Sequence, residues 1–183
     1  MKLHLGSGTS RIEGFLNVDF DPLCNPDYCF NLEQDVWPFP DNSVERVVAH
    51  HVMEHLGDGY FHFLKELYRV CKDKALIDIR VPHFRHDHFF NDPTHKRAIT
   101  PDGLRLFGKA FNDLCQEQGT RHSRLGYYYD VDFEVTHAEN VYNSNYNDII
   151  AKMTTEEGDR FIAERNNIIL EFWIVLKAHK QNG

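Results

Sequence analysis

The sequence predicts an α/β fold with a mainly parallel sheet, and three observations point to it. Short apolar runs at Lys2–Leu5, 16–20 and Val44–His50 lack sustained polar alternation, as expected for strands covered on both faces. Residues 59–72 change to a helical period, with Phe61, Leu64, Leu67, Tyr68 and Cys71 on one face, and an apolar run at 75–81 follows. Strand, helix and strand in that order imply a right-handed crossover between parallel neighbours. The 183 residues, 42% hydrophobic and 26% charged, suffice for a sizeable core in one domain covering 1–183.

The remaining elements follow in order. The connector 6–15 is barely long enough for a parallel crossover, so any helix in it is little more than a turn. Residues 28–32 read as a third strand, and 37–43, with Pro38 and Pro40, as a loop. Pro82 ends the strand at 75–81. Segment 83–100 is polar, aromatic and too long for an ordinary connection, which marks a lid or substrate loop. Residues 101–116 read as a helix capped by Thr100 with Pro101 at its first position. A strand is expected at 127–135, a helix at 147–166 weakened by Gly158, and a last strand at 168–178.

Composition excludes several function classes. A formal net charge of −8 argues against general nucleic-acid binding, which rests on clustered Lys and Arg. Cys24, Cys29, Cys71 and Cys115 lack the paired spacing of a structural zinc site and read as reduced thiols. No apolar run approaches membrane-spanning length, and the glycine turn at Gly6 leaves no room for a signal peptide ahead of it. The expectation is a soluble cytoplasmic protein with no membrane partner.

Chemistry first surfaces in Leu3–Ser10. An apolar run stops at Gly6-Ser7-Gly8, and the next one, Leu16-Asn17-Val18-Asp19, ends in a carboxylate. Glycine suits a turn where bare backbone approaches a ligand, and an acid ending the next strand can accept from both hydroxyls of a ribose. The pattern reads as a nucleoside-cofactor site.

Further stretches, in order, make the chain resemble the class I S-adenosylmethionine-dependent methyltransferases, specifically the short variety with an abbreviated first crossover. They are the glycine turn, Asp19, the loop Trp37-Pro38-Phe39-Pro40-Asp41, the step Val52-Met53-Glu54-His55-Leu56, the helix end Leu67-Tyr68-Arg69-Val70, Asp92-Pro93-Thr94-His95, and Phe172 to Lys177. The resemblance implies a Rossmann-like three-layer sandwich whose sheet of about seven strands has the last antiparallel. It implies S-adenosylmethionine as cofactor, approached by Leu5, Gly6, Ser7 and Gly8, with Asp19 at the ribose. Asn31 and Leu32 would lie near the adenine, and His50 and His51 below the methionine end. Three positions depart from the family pattern: His4 before the first glycine, Ser10 in place of a third, and Asn31 where Asp is common.

The 12 histidines gather in two groups, His50, His51 and His55, and then His83, His86, His88 and His95. His51 to His55 spells H-x-x-E-H, but that metalloprotease motif needs a continuous helix, and here the letters follow a strand end. The reading reached is methyl transfer to a small or medium polar acceptor, with Glu54, His55, His83 and His95 as candidate catalytic groups and no metal required. Two alternatives come from other classes: a non-catalytic cofactor-binding module, and a metal-dependent hydrolase using the His83–His95 cluster. Tyr127 to Tyr129 read equally as core or as the face of a homodimer.

Overall fold

The computed structural model describes residues 1–180. Its centre is a seven-stranded sheet in the order β3-β2-β1-β4-β5-β7-β6. The strands are β1 (Lys2–Leu5), β2 (Leu16–Asp19), β3 (Tyr28–Cys29), β4 (Val44–His50), β5 (Cys71–Pro82), β6 (Phe133–Tyr142) and β7 (Ile169–Ala178). The first five are mutually parallel, and β7 runs antiparallel to both β5 and β6. The expected mostly parallel sheet with an antiparallel last strand is therefore present. Helices α1 (Tyr60–Val70), α2 (Asp87–Asn91), α3 (Pro101–Arg105), α4 (Lys109–Glu117), α5 (Leu125–Tyr128), α6 (Asn147–Ile150) and α7 (Thr155–Ala163) occupy the connections.

The core explains the unalternating strands. Leu3, Leu5, Val18, Val47, Ile77 and Ile79 are fully buried, and the apolar face of α1 contributes Phe63, Leu64, Leu67 and Val70. No helix among the described residues is long and apolar enough to cross a membrane.

Four expectations are corrected, each by local chemistry. The strand expected at 127–135 is instead the helical turn α5 followed by β6. Asp130 adopts a positive φ of 51° between them, Tyr127 Oη donates to Asp113 Oδ1 at 2.8 Å, and Tyr129 stacks on Phe61. The consecutive tyrosines 127–129 thus belong to a helical turn and its end. The helix expected at 101–116 breaks into α3 and α4 at Gly108, where a Cβ would meet the Phe133 carbonyl at 2.5 Å, and Phe133 N donates to Phe107 O. The helix at 147–166 breaks into α6 and α7, because Thr154 and Glu157 form a capping box that starts a new helix. The third strand keeps only Tyr28–Cys29 of 28–32, as Asp35 takes the Asn31 N–H that a longer ladder would use.

Candidate functional site

Parallel topology brings the ends of β1, β2, β4 and β5, and the start of antiparallel β7, to one edge of the sheet. At that edge the chain leaves β1 through Gly6 (φ 58°) and Gly8 (φ 52°), both left-handed. A Cβ at Gly6 would sit 2.5 Å from Val52 Cγ2, so this glycine is required for packing as well as for backbone angle. A Cβ at Gly8 would meet nothing within 4 Å, which leaves open space over the turn. Asp19 fixes the turn: its Oδ2 accepts from Gly8 N at 2.7 Å and its Oδ1 from Asp21 N at 3.0 Å.

Beside it, β4 ends in a polar network reaching across three strands. His50 Nε2 lies 2.8 Å from Asp78 Oδ1, which also accepts from Trp173 Nε1. His51 holds a left-handed φ of 56°, uncommon outside glycine and costly unless the surroundings impose it. Its backbone N–H donates to Arg80 O, and its ring bridges two carboxylates, Glu54 at 3.3 Å and Glu171 at 3.2 Å. The Glu54 carboxylate raises the His51 pKa most, against the opposing effect of burial. Arg80 Nη1 donates to Glu171 Oε1, completing a chain of alternating charge.

A second cluster joins the turn after β4 to the lid segment. Lys96 N and Arg97 N both donate to the Glu54 carbonyl, at 2.8 and 3.1 Å. His55 Nδ1 contacts Thr94 Oγ1 at 2.8 Å, and the His55 and His95 rings meet edge to face. His83 keeps different company. Its ring stacks on Phe84 and packs on Phe172, its Nδ1 accepts from Arg85 N, and burial pushes its pKa down to about 4. It lines a cavity of about 80 Å³ with Ile162, Arg165 and Ile168, too small for a nucleoside.

Residues 18–77 match the family profile described as methyltransferase domain. No curated protein matches the chain. Among solved structures, a methyltransferase from Archaeoglobus fulgidus aligns at 18% identity and TM-score 0.58, over 96% of this chain and 85% of that one. A Haloferax volcanii complex of the Trm112 methyltransferase activator with a methyltransferase gives 14% identity and TM-score 0.60, covering 100% and 83%. The [4+2]-cyclase SpnF gives 14% and TM-score 0.58, covering 98% and 75%. Likeness at these identities shows the fold, and the cyclase among the neighbours shows that the fold does not fix the reaction.

Residues 18–77 thus resemble a methyltransferase domain, and the chain shares its fold with S-adenosylmethionine-dependent methyltransferases. The residues present fit S-adenosylmethionine at the turn. A carboxylate has about four lone-pair positions; Asp19 uses one per oxygen on backbone N–H groups, which leaves one per oxygen, the number a ribose diol needs. The open space over Gly8 is where backbone would approach the amino-acid portion.

Other residues singled out from the sequence occupy varied places. Leu5 and Leu32 are buried in the core, so only their backbones are available. Ser7 N donates to Val18 O, and its hydroxyl turns to Gly8 O. Asn31 Oδ1 accepts from Glu33 N, folding that side chain back on its own loop. His4 pairs with Asn17 beneath the turn, and burial lowers its pKa. Sequence reasoning missed three residues. Glu33 accepts from Gly57 N and Gly59 N ahead of α1, while Arg80 and Glu171 face each other only because β5 pairs with β7. No local signal announces such long-range partners.

Proposed function

We propose that this protein is a methyltransferase that transfers the methyl group of S-adenosylmethionine to a small or medium polar acceptor. The observation that carries the reading is the glycine turn locked to Asp19, with free lone pairs on that carboxylate and open space above Gly8. When bound, the cofactor supplies a methyl group already activated on a sulfonium. The chain's share is alignment, water exclusion and removal of the acceptor's proton. His50 and His51 would lie under the methionine end. Segment 83–100 would close over the acceptor. The buried ring of His83 is a weak base near neutral pH, which disfavours it for removing the acceptor's proton. The exposed Tyr127 and Tyr128 offer a face for a second copy of the chain.

Calorimetric titration with S-adenosylmethionine tests the reading. Wild type should bind, and Asp19→Ala, losing a charged acceptor, should weaken binding by about 1.5–3 kcal/mol, roughly ten- to a hundred-fold. Absence of binding by wild type with intact circular dichroism would overturn it.

A further inference from the structure

Glu54 is a buried carboxylate that meets His51 only as an unaligned ion pair. Its side chain is 1% exposed, and among the described residues neither oxygen has a hydrogen-bond partner. His51 Nδ1 stands 3.3 Å from Oε1 without hydrogen-bond alignment. A buried carboxylate left this way is costly unless it is neutralised or coordinates a cation.

Two imidazoles converge on the same point. One ligand atom from each of Glu54, His55 and His95 lies within 4.8 Å of the other two. Both rings are oriented by outer hydrogen bonds of the kind that metal-ligating histidines make. His95 Nδ1 donates to Phe89 O at 2.8 Å. Thr94 Oγ1 gives its proton to Asp92 Oδ1 at 2.6 Å, so at 2.8 Å from His55 Nδ1 it acts as the acceptor. Each ring therefore carries its proton on Nδ1 and presents the Nε2 lone pair. Asp92 holds Thr94 from two sides, also accepting its backbone N–H. The two backbone bonds from Lys96 and Arg97 to the Glu54 carbonyl tie the segments together, so the convergence does not depend on loose side chains.

We propose that Glu54, His55 and His95 form a binding site for one divalent first-row transition metal, of which zinc is the type case. Two imidazoles and one carboxylate are a donor set that borderline metals take and that magnesium and calcium do not favour. Tetrahedral zinc with donors at about 2.0–2.2 Å sets neighbouring donors about 3.4 Å apart, so the three groups must draw in by about an ångström. Side-chain rotation supplies that. Asp92 Oδ2, 3.9 Å from His95 Nε2, stands at the solvent edge of the site. With three protein donors the metal would keep an open position, the arrangement of reactive rather than purely structural sites. This assignment does not depend on methyl transfer, and it uses a donor set distinct from the 83–88 histidines.

The test is metal uptake by untagged protein stripped with a chelator. Zinc is titrated against a chromogenic chelator, and cobalt(II) is followed by its visible absorption. The expected result is one zinc per chain at micromolar or tighter affinity, with cobalt bands of a nitrogen-and-oxygen site. His55→Ala and His95→Ala should weaken binding at least a hundred-fold, while His88→Ala should not. Thr94→Val keeps the ligands but removes the acceptor for His55, and should weaken binding about ten- to a hundred-fold. It remains informative if a ligand variant unfolds by circular dichroism. A protonated Glu54 carboxyl is the rival account and predicts no uptake. No stoichiometric uptake by wild type, or uptake indifferent to His55, His95 and Thr94, would overturn the proposal.

Discussion

Gly6 and Gly8 differ in what a side chain would cost. Both need positive φ, but only Gly6 has Val52 against it. Gly6→Ala should lower unfolding free energy by about 2–4 kcal/mol, backbone strain and overpacking together. Gly8→Ala should lose about 1–2 kcal/mol from the backbone alone, and should lose cofactor affinity out of proportion to stability. Urea denaturation and cofactor titration on both variants check this; equal stability losses would contradict the packing argument. His83 gives a second single-residue prediction. Its pKa is depressed to about 4 by burial, so the unfolded chain binds a proton that the folded chain refuses between about pH 6.5 and 4. Stability should fall as pH drops through that window, and His83→Gln should flatten this part of the profile. An imidazole resonance of His83 titrating near pH 6.5 would remove the basis for it. The sequence marks His83 by position, directly after a strand. It does not reveal that Phe84 and Phe172 desolvate the ring, because Phe172 lies on β7.

Among elements, the proline loop before β4 is held by α1 through one arginine. Arg69 uses all five N–H groups, on both Glu66 oxygens, the carbonyls of Trp37 and Phe39, and Asp41, while Glu66 Oε2 also accepts Trp37 N. Arg69→Met strands Glu66 and two carbonyls and should cost about 2–4 kcal/mol by chemical denaturation. The Glu66 carboxyl is held below its ordinary value chiefly by Arg69. Its contribution is present above the unfolded-state value and is lost as pH falls through the lower folded one. Glu66→Gln should remove that acid sensitivity. Helix α1 and the strands beside it were legible because period and burial agree there: one stripe faces one sheet. The start of α3 was legible too, since Thr100 caps it ahead of Pro101, but α5 and the breaks that separate α3 from α4 and α6 from α7 were not. One break is a tertiary stop, the Gly108 approach to β6, which leaves no mark in the apolar pattern, whereas the other is the local Thr154–Glu157 capping box, which the sequence carries.

At the scale of the molecule, the parallel half was readable from β1 to β5 because each crossover is local. In the antiparallel half β7 was readable at 168–178, but β6 was misplaced, since it owes its place to pairing with β7, which follows it by more than twenty-five residues. The same division runs through the sites. The glycine turn and Asp19 come from neighbouring strands and were visible together, whereas Glu54, His55 and His95 meet only when the lid segment folds back on the turn after β4. The two sites therefore sit on different parts of the framework, and the fold supplies a direct test of their independence. A ligand at a hundred times its dissociation constant stabilises the native state by about 2.7 kcal/mol. For a chain of this size that is roughly a 5–10 °C rise in Tm. S-adenosylmethionine should give such a rise in wild type and roughly half of it or less in Asp19→Ala; zinc should give one in both and little in His95→Ala. Uncoupled sites make the stabilisation free energies add when both ligands are present. A combined stabilisation larger or smaller than the sum measures a coupling free energy, and its natural carrier is His51, which links Glu54 to Glu171 at the cofactor edge. Loss of that excess in His51→Ala, with both single shifts retained, would locate the coupling there; its persistence would rule that route out.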